Sequence, residues 1–222
     1  MKRLTLPFLL ALCALALGSN ACQSPLRSPG ADDAMMANLS ASQRATIDQA
    51  RANYNLRTDE LAVARLDVVR SKAEHSLAKT DLEIARTNVT RAEDVVSVAQ
   101  TSTASDLEAA RDALAVASAK VPQQELLVTW RDCNVTRSER ALDVAQCSQA
   151  LAFANTELEK ARAYSVSDRA ASRNVDVRAR EERVSECQTQ ESVARAKLAG
   201  AVRECEMAER SYESGLTTAS KD

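Results

Sequence analysis

Six cysteines and one histidine are the residues of this 222-residue chain best suited to covalent or metal chemistry. A thiol can bond a second thiol, accept an acyl group or ligate a metal. Cys13 and Cys22 lie near the start; Cys133, Cys147, Cys187 and Cys205 lie in the second half. No two cysteines have the close spacing of a zinc finger, so a metal site is not expected. His75 stands alone and falls on a row of apolar residues, where it reads as a tolerated polar seam residue rather than a ligand or pH switch. There is no glycine-rich phosphate loop, nucleophile elbow or cluster of histidine with carboxylates. The residues therefore predict no catalytic, cofactor-binding or metal site, and the chain is not expected to be an enzyme.

The elements that must position the cysteines are legible as heptads. From Ile47 a large residue recurs every seven: Ile47, Tyr54, Leu61, Val68, His75, Leu82, Val89, Val96. Three residues after each comes a smaller one, mostly alanine, as in Ala50, Ala64, Ala78, Ala85, Ala92 and Ala99. This is the seam of a long helix packed closely on another. Ser40 with Gln43 supplies a capping box, so the first helix is expected over about 40–100, roughly 90 Å long. Ser105 with Glu108 starts a second, over 105–163, with Leu107, Leu114, Val121 and Val128 at sevens and Pro122 expected to kink it. A break from Tyr164 to Ser172, with Ser165 to Asp168 able to cap, leads to a third helix over 169–214. It carries Val177, Val184, Leu198, Cys205 and Tyr212, and Gly215 fits a C-terminal cap before a tail at 216–222. No stretch alternates as a strand does. The fold class is all-α, an elongated antiparallel bundle or coiled coil of about three long helices.

Charge gives the direction of packing. Arg51, Arg65, Lys72, Lys79 and Arg86 form one flank of the first seam, and Glu60, Asp67, Glu74 and Asp81 form the other. Folding the chain at Thr103 brings Asp132 level with Glu74 and Lys72, Glu139 toward Arg65, and Glu125 toward Lys79. An antiparallel hairpin is therefore expected, since a short connection favours it. A second seam on the same helix, Leu56, Val63, Leu77, Ile84 and Val98, asks for a further neighbour that the third helix can supply. A homo-oligomer of hairpins is the competing arrangement.

At the start, Met1-Lys2-Arg3 precedes an apolar run from Leu4 to Leu17, too short to span a bilayer and suited to an export signal over 1–21. Ser19-Asn20-Ala21-Cys22 then resembles the lipobox of bacterial lipoproteins. It departs from the usual pattern at Ser19, where leucine is common, and at Asn20, where a small uncharged residue is common. The resemblance implies acylation of Cys22 as the first residue of the mature chain, with cleavage near Ala21 and no lipid as the alternative. Gln23 in place of aspartate implies the outer membrane, with the protein facing the periplasm. Residues 23–39, with Pro25, Pro29 and Gly30, read as a flexible tether between lipid and helices.

An exported chain has an oxidising surrounding, where thiols pair. Cys133 and Cys147 are 14 residues apart on one helix, about 21 Å, and Cys187 and Cys205 are likewise too far apart to bond. Cys133 with Cys205 is centred on residue 169 and Cys147 with Cys187 on 167, both inside the second break. The crossed pairing is centred on 160 and 176, which no single turn satisfies. The nested pairs are thus the expected disulfides.

Net charge is −2 with both signs mixed, so no basic face for nucleic acid exists. Trp130, one turn before Cys133, reads as an interface or core anchor. Ala104 to Val121, ASDLEAARDALAVASAKV, resembles the descending arm of the helical hairpin of periplasmic adaptor proteins. Ser211 to Thr218, SYESGLTT, is similar to a turn of outer-membrane efflux factors. The lipoyl, barrel and membrane-strand parts of those families are missing. The resemblance implies at most a helical accessory that docks on an efflux or secretion assembly. The leading expectation is a lipid-anchored, non-enzymatic scaffold, spacer or partner-binding rod. A peptidoglycan tether through a terminal lysine is disfavoured because Lys221 is penultimate and Asp222 ends the sequence.

Overall fold

A computed structural model describes residues 36, 38–167 and 175–219. The fold is all-α, and the described residues form three helices: α1 Ala41–Ala99, α2 Ala104–Ser167 and α3 Val177–Ala219. The sequence between Gln23 and residue 35, and the centre of the second break at 168–174, lie outside the described residues.

Each helix starts where a side chain can take up orphaned amides. Ser40 and Gln43 form the expected reciprocal box: the Gln43 amide donates to Ser40 Oγ at 3.3 Å and the Ser40 amide to Gln43 Oε1 at 2.9 Å. At α2 the box is Thr103 with Asp106, at 3.2 and 3.4 Å, rather than Ser105 with Glu108. The helix thus begins one residue early. The correction at α3 is larger. Val166 is still helical in α2, and Asp176 Oδ1 accepts the Ala179 amide at 2.9 Å, so α3 starts at Val177 rather than at 169. Gly215 does not cap α3, which runs on to Ala219. α2 stays helical through Pro122; the carbonyl that the proline leaves unbonded belongs to Ser118, which is exposed.

The described chain divides into two compact units. The first takes its described residues from Met1–Asn55 and Gln146–Glu191. There Ile47 of α1 is fully buried with Leu39, Ala163 and Tyr164, and Tyr54 meets Phe153 with ring centroids 5.8 Å apart. On another face of α2, Ala154 and Leu158 pack with Val184 and Cys187 of α3, and Ser148 bonds Glu191 at 2.5 Å. Arg162 reaches Glu181 at 2.9 Å. No residue of α2 from 146 to 161 is exposed, because both neighbours lie on this helix.

The second unit takes Leu56–Ala145 and the described part of Ser192–Asp222. Leu61, Val68, Ala78 and Ala85 of the first seam are buried against α2. Glu74 binds Arg131 at 2.6 Å and His75 lies 3.6 Å from Asp132, so the helices are antiparallel and level as the turn at Thr103 requires. The long ion pairs are displaced by one heptad from expectation. Glu139 holds Lys72 at 2.8 Å, not Arg65, and Glu125 holds Arg86 at 2.9 Å, not Lys79. Helical side chains lean toward their own N-terminus. In an antiparallel pair the leans of Lys72 and Glu139 converge, whereas those of Arg65 and Glu139 diverge.

α3 packs on α2, not on the second seam of α1. Leu56, Val63, Leu77, Ile84 and Val98 are all more than half exposed. α2 accepts two neighbours because small residues, Ala152, Ala154 and Ala161 among them, let both come close.

Candidate functional site

The chemistry-bearing residues of the second unit converge on one stretch of α2. Cys133 and Cys205 form a disulfide with Cα atoms 5.3 Å apart, joining α2 to α3. One turn before Cys133, the Trp130 ring stacks on Tyr212 at 5.4 Å with planes 12° apart. The Arg131 guanidinium lies 4.5 Å from the Trp130 centroid and its Nη1 bonds Glu74 at 2.6 Å, a contact that ties α1 to the same spot. Glu74 also accepts from Arg70 at 3.0 Å. Ser71 and Ser138 share a hydrogen bond of 2.7 Å.

Ser71, Glu74, Trp130, Arg131 and Ser138 border a groove of about 280 Å³ whose wall also includes Asp67, Arg70, Asn134, Arg137 and Glu209. Both signs of charge are present and largely offset. Asn134 is buried and its Oδ1 lacks a hydrogen-bond partner. The groove offers shape and polar contacts rather than an activated nucleophile or base. Among the described residues no group of three histidine, cysteine or acidic side chains is placed to hold a metal ion. No described helix is long and apolar enough to cross a membrane.

The second expected disulfide is not formed. Cys187 is a buried free thiol and so is not joined to Cys147. The register explains why Cys187 is not its partner. Ser148, the neighbour of Cys147, bonds Glu191, four residues beyond Cys187. Cys187 instead sits level with Ala154 and Leu158, in the apolar cluster that they form with Val184. Cys133–Cys205, centred on residue 169, and Ser148–Glu191 share one register, whereas Cys147 with Cys187 is centred on 167, out of step with it. Burial pushes the Cys187 thiol above its ordinary value; Arg183 opposes this and Glu186 adds to it. Cys22, the expected lipidation site, and Cys13 lie outside the described residues.

Trp130 reads as an anchor in the sequence, yet its stacking on Tyr212 follows only once the α2–α3 register is known. The turn-like segment Ser211 to Thr218 lies inside α3. Ala104 to Val121 is the first part of α2, after the turn that follows Ala99. No family model matches the chain, and no curated protein or solved structure matches it.

Proposed function

We propose that the protein is a lipid-anchored scaffold of the bacterial outer membrane, facing the periplasm and holding partner proteins without catalysing a reaction. The anchor is Cys22, carried by the lipobox-like Ser19-Asn20-Ala21-Cys22. The observation that carries the partner-binding role is the second heptad seam of α1, apolar at five of its seven positions from Leu56 to Val98 yet uncovered, with Leu77 62% exposed and Val98 70% exposed. Soluble chains rarely leave so long an apolar stripe open without a use for it.

Fractionation of envelopes tests the anchor. The parent protein is expected with membranes, and Cys22→Ser in the soluble periplasmic fraction or as uncleaved precursor. A cleaved Cys22→Ser protein that still fractionates with membranes would contradict the anchor.

A second reading is a helical accessory of an efflux or secretion assembly. The α1–α2 hairpin favours it, because the adaptor-like segment begins directly at the hairpin turn. Photo-crosslinking from Ser102 at that turn should then capture an export subunit, whereas a scaffold acting through α1 would not be captured there.

A further inference from the structure

We infer that the uncovered face of α1 in the second unit, from Leu56 to Val98, is a docking surface for an amphipathic helix of another protein, one whose flank is basic. This names the partner class for the scaffold role proposed above and rests on that reading.

Eight large apolar side chains of α1 stand open: Leu56, Val63, Leu66, Val69, Leu77, Ile84, Val95 and Val98, each 53–70% exposed. Leu56, Val63, Leu77, Ile84 and Val98 fall on one heptad position, and Leu66 lies three residues after Val63. The row is broken only at Arg70 and Arg91, and an exposed apolar row of this length marks an interaction site rather than an ordinary monomer surface. Its period selects a helix as the occupant, since only a helix presents knobs at the same spacing.

Charge selects the kind of helix. Four residues after Leu56, Val63, Arg70 and Leu77 come Glu60, Asp67, Glu74 and Asp81, an acidic edge along the stripe. Asp67 and Asp81 have no ion-pair partner among the described residues, so this edge can still take cations. A second copy of α1 does not fit. Laid antiparallel about Leu77, it sets this acidic edge against itself. Laid parallel and in register, it sets Arg70 on Arg70 and Arg91 on Arg91 inside the seam. Both arrangements bring like charges together. A foreign helix with lysines or arginines opposite the acidic edge avoids this. A polar or acidic residue opposite Arg70 and again opposite Arg91, three heptads on, would fix its register.

Two synthetic peptides of about five heptads, with the same leucine seam and either lysine or glutamate on both flanks, test this on the purified full chain. Like charge on both flanks keeps each peptide from pairing with itself. Titration calorimetry should show the lysine peptide binding, more weakly as salt rises, and the glutamate peptide not binding. Leu77→Asp with Ile84→Asp should weaken binding about tenfold or more, while circular dichroism and melting stay as in the parent because both side chains are exposed. Equal binding of the two peptides, binding that survives the double variant, or no binding would overturn the proposal. So would sedimentation showing the full chain to be a dimer that the double variant makes monomeric. None of these outcomes bears on Cys22, so the anchor stands or falls by its own experiment.

Discussion

Cys133 and Cys205, 72 residues apart in sequence, meet with Cα atoms 5.3 Å apart and tie α3 to the face of α2 that already holds the Trp130–Tyr212 stack. The bond restricts the unfolded chain over a long loop, for which chain entropy gives about 4 kcal/mol and measured losses run about 2–5 kcal/mol. Cys133→Ser with Cys205→Ser should lower the melting temperature measured without reductant. Reductant should lower that of the parent by a similar amount and leave the variant little changed. Equal melting of the two proteins without reductant would show that the staple contributes nothing.

Cys187 is expected to be silent in the folded protein. It is buried among Ala154, Leu158 and Val184, and its thiol is shifted above the ordinary value of 9.0. Alkylation should therefore be slow until denaturant is added, and non-reducing peptide maps should show Cys187 unlinked and Cys133 joined to Cys205. The folded state favours the neutral thiol, so its contribution is full below the unfolded value of about 9 and is lost as pH rises through the higher folded value. Cys187→Ala should flatten the alkaline fall in stability. An unchanged profile would assign that fall to other groups.

The antiparallel register is testable at one ion pair. Glu139→Lys should lower stability by tenths of a kcal/mol at low salt, because Lys72 and Glu139 are both about half exposed. Lys72→Glu should restore part of this, and Arg65→Glu should not. Rescue by Arg65→Glu instead would place the helices one heptad from the observed register.

Two glycines of α3 should respond differently to alanine. A Cβ at Gly200 meets nothing within 4 Å, so Gly200→Ala should stabilise by roughly 0.5–1 kcal/mol through helix propensity alone. At Gly215 the added Cβ comes 2.6 Å from Leu126 Cδ1, the end of a flexible side chain that must move away. Gly215→Ala should gain less than Gly200→Ala or become destabilising. Thermal melts of the two variants settle the order.

The fold was largely legible because seam residues have a strict period. Every position from Ile47 to Val96 in the first seam is buried or half-buried, as its spacing required. Three things were not legible, each for a physical reason. The start of α3 is hard to read because Ser165 and Ser167 suit a cap as readily as the last turn of α2; the second cysteine pair fails for another reason, since the two nested pairs differ by four residues in register and straight helices satisfy only Cys133 with Cys205. The heptad shift of the ion pairs depends on the lean of side chains, which residue-for-residue counting ignores. The choice of neighbour for α3 turned on α2, whose apolar residues are spread around its circumference and so show no second stripe to the eye. At the candidate site, Trp130 and the Cys133–Cys205 bond were readable from spacing. The groove beside them, with Asn134 and Glu209, depended on the packing of all three helices in this unit.

A lipid on Cys22 is proposed to hold this helical chain to the membrane, and the mass of the mature N-terminal peptide reads whether it is there. Protein purified in detergent from bacterial envelopes would be digested and its first peptide measured. The expected peptide begins at Cys22 and carries the added mass of acyl chains. An unmodified peptide that begins at Cys22 or downstream of it, after cleavage without lipid, would rule the anchor out.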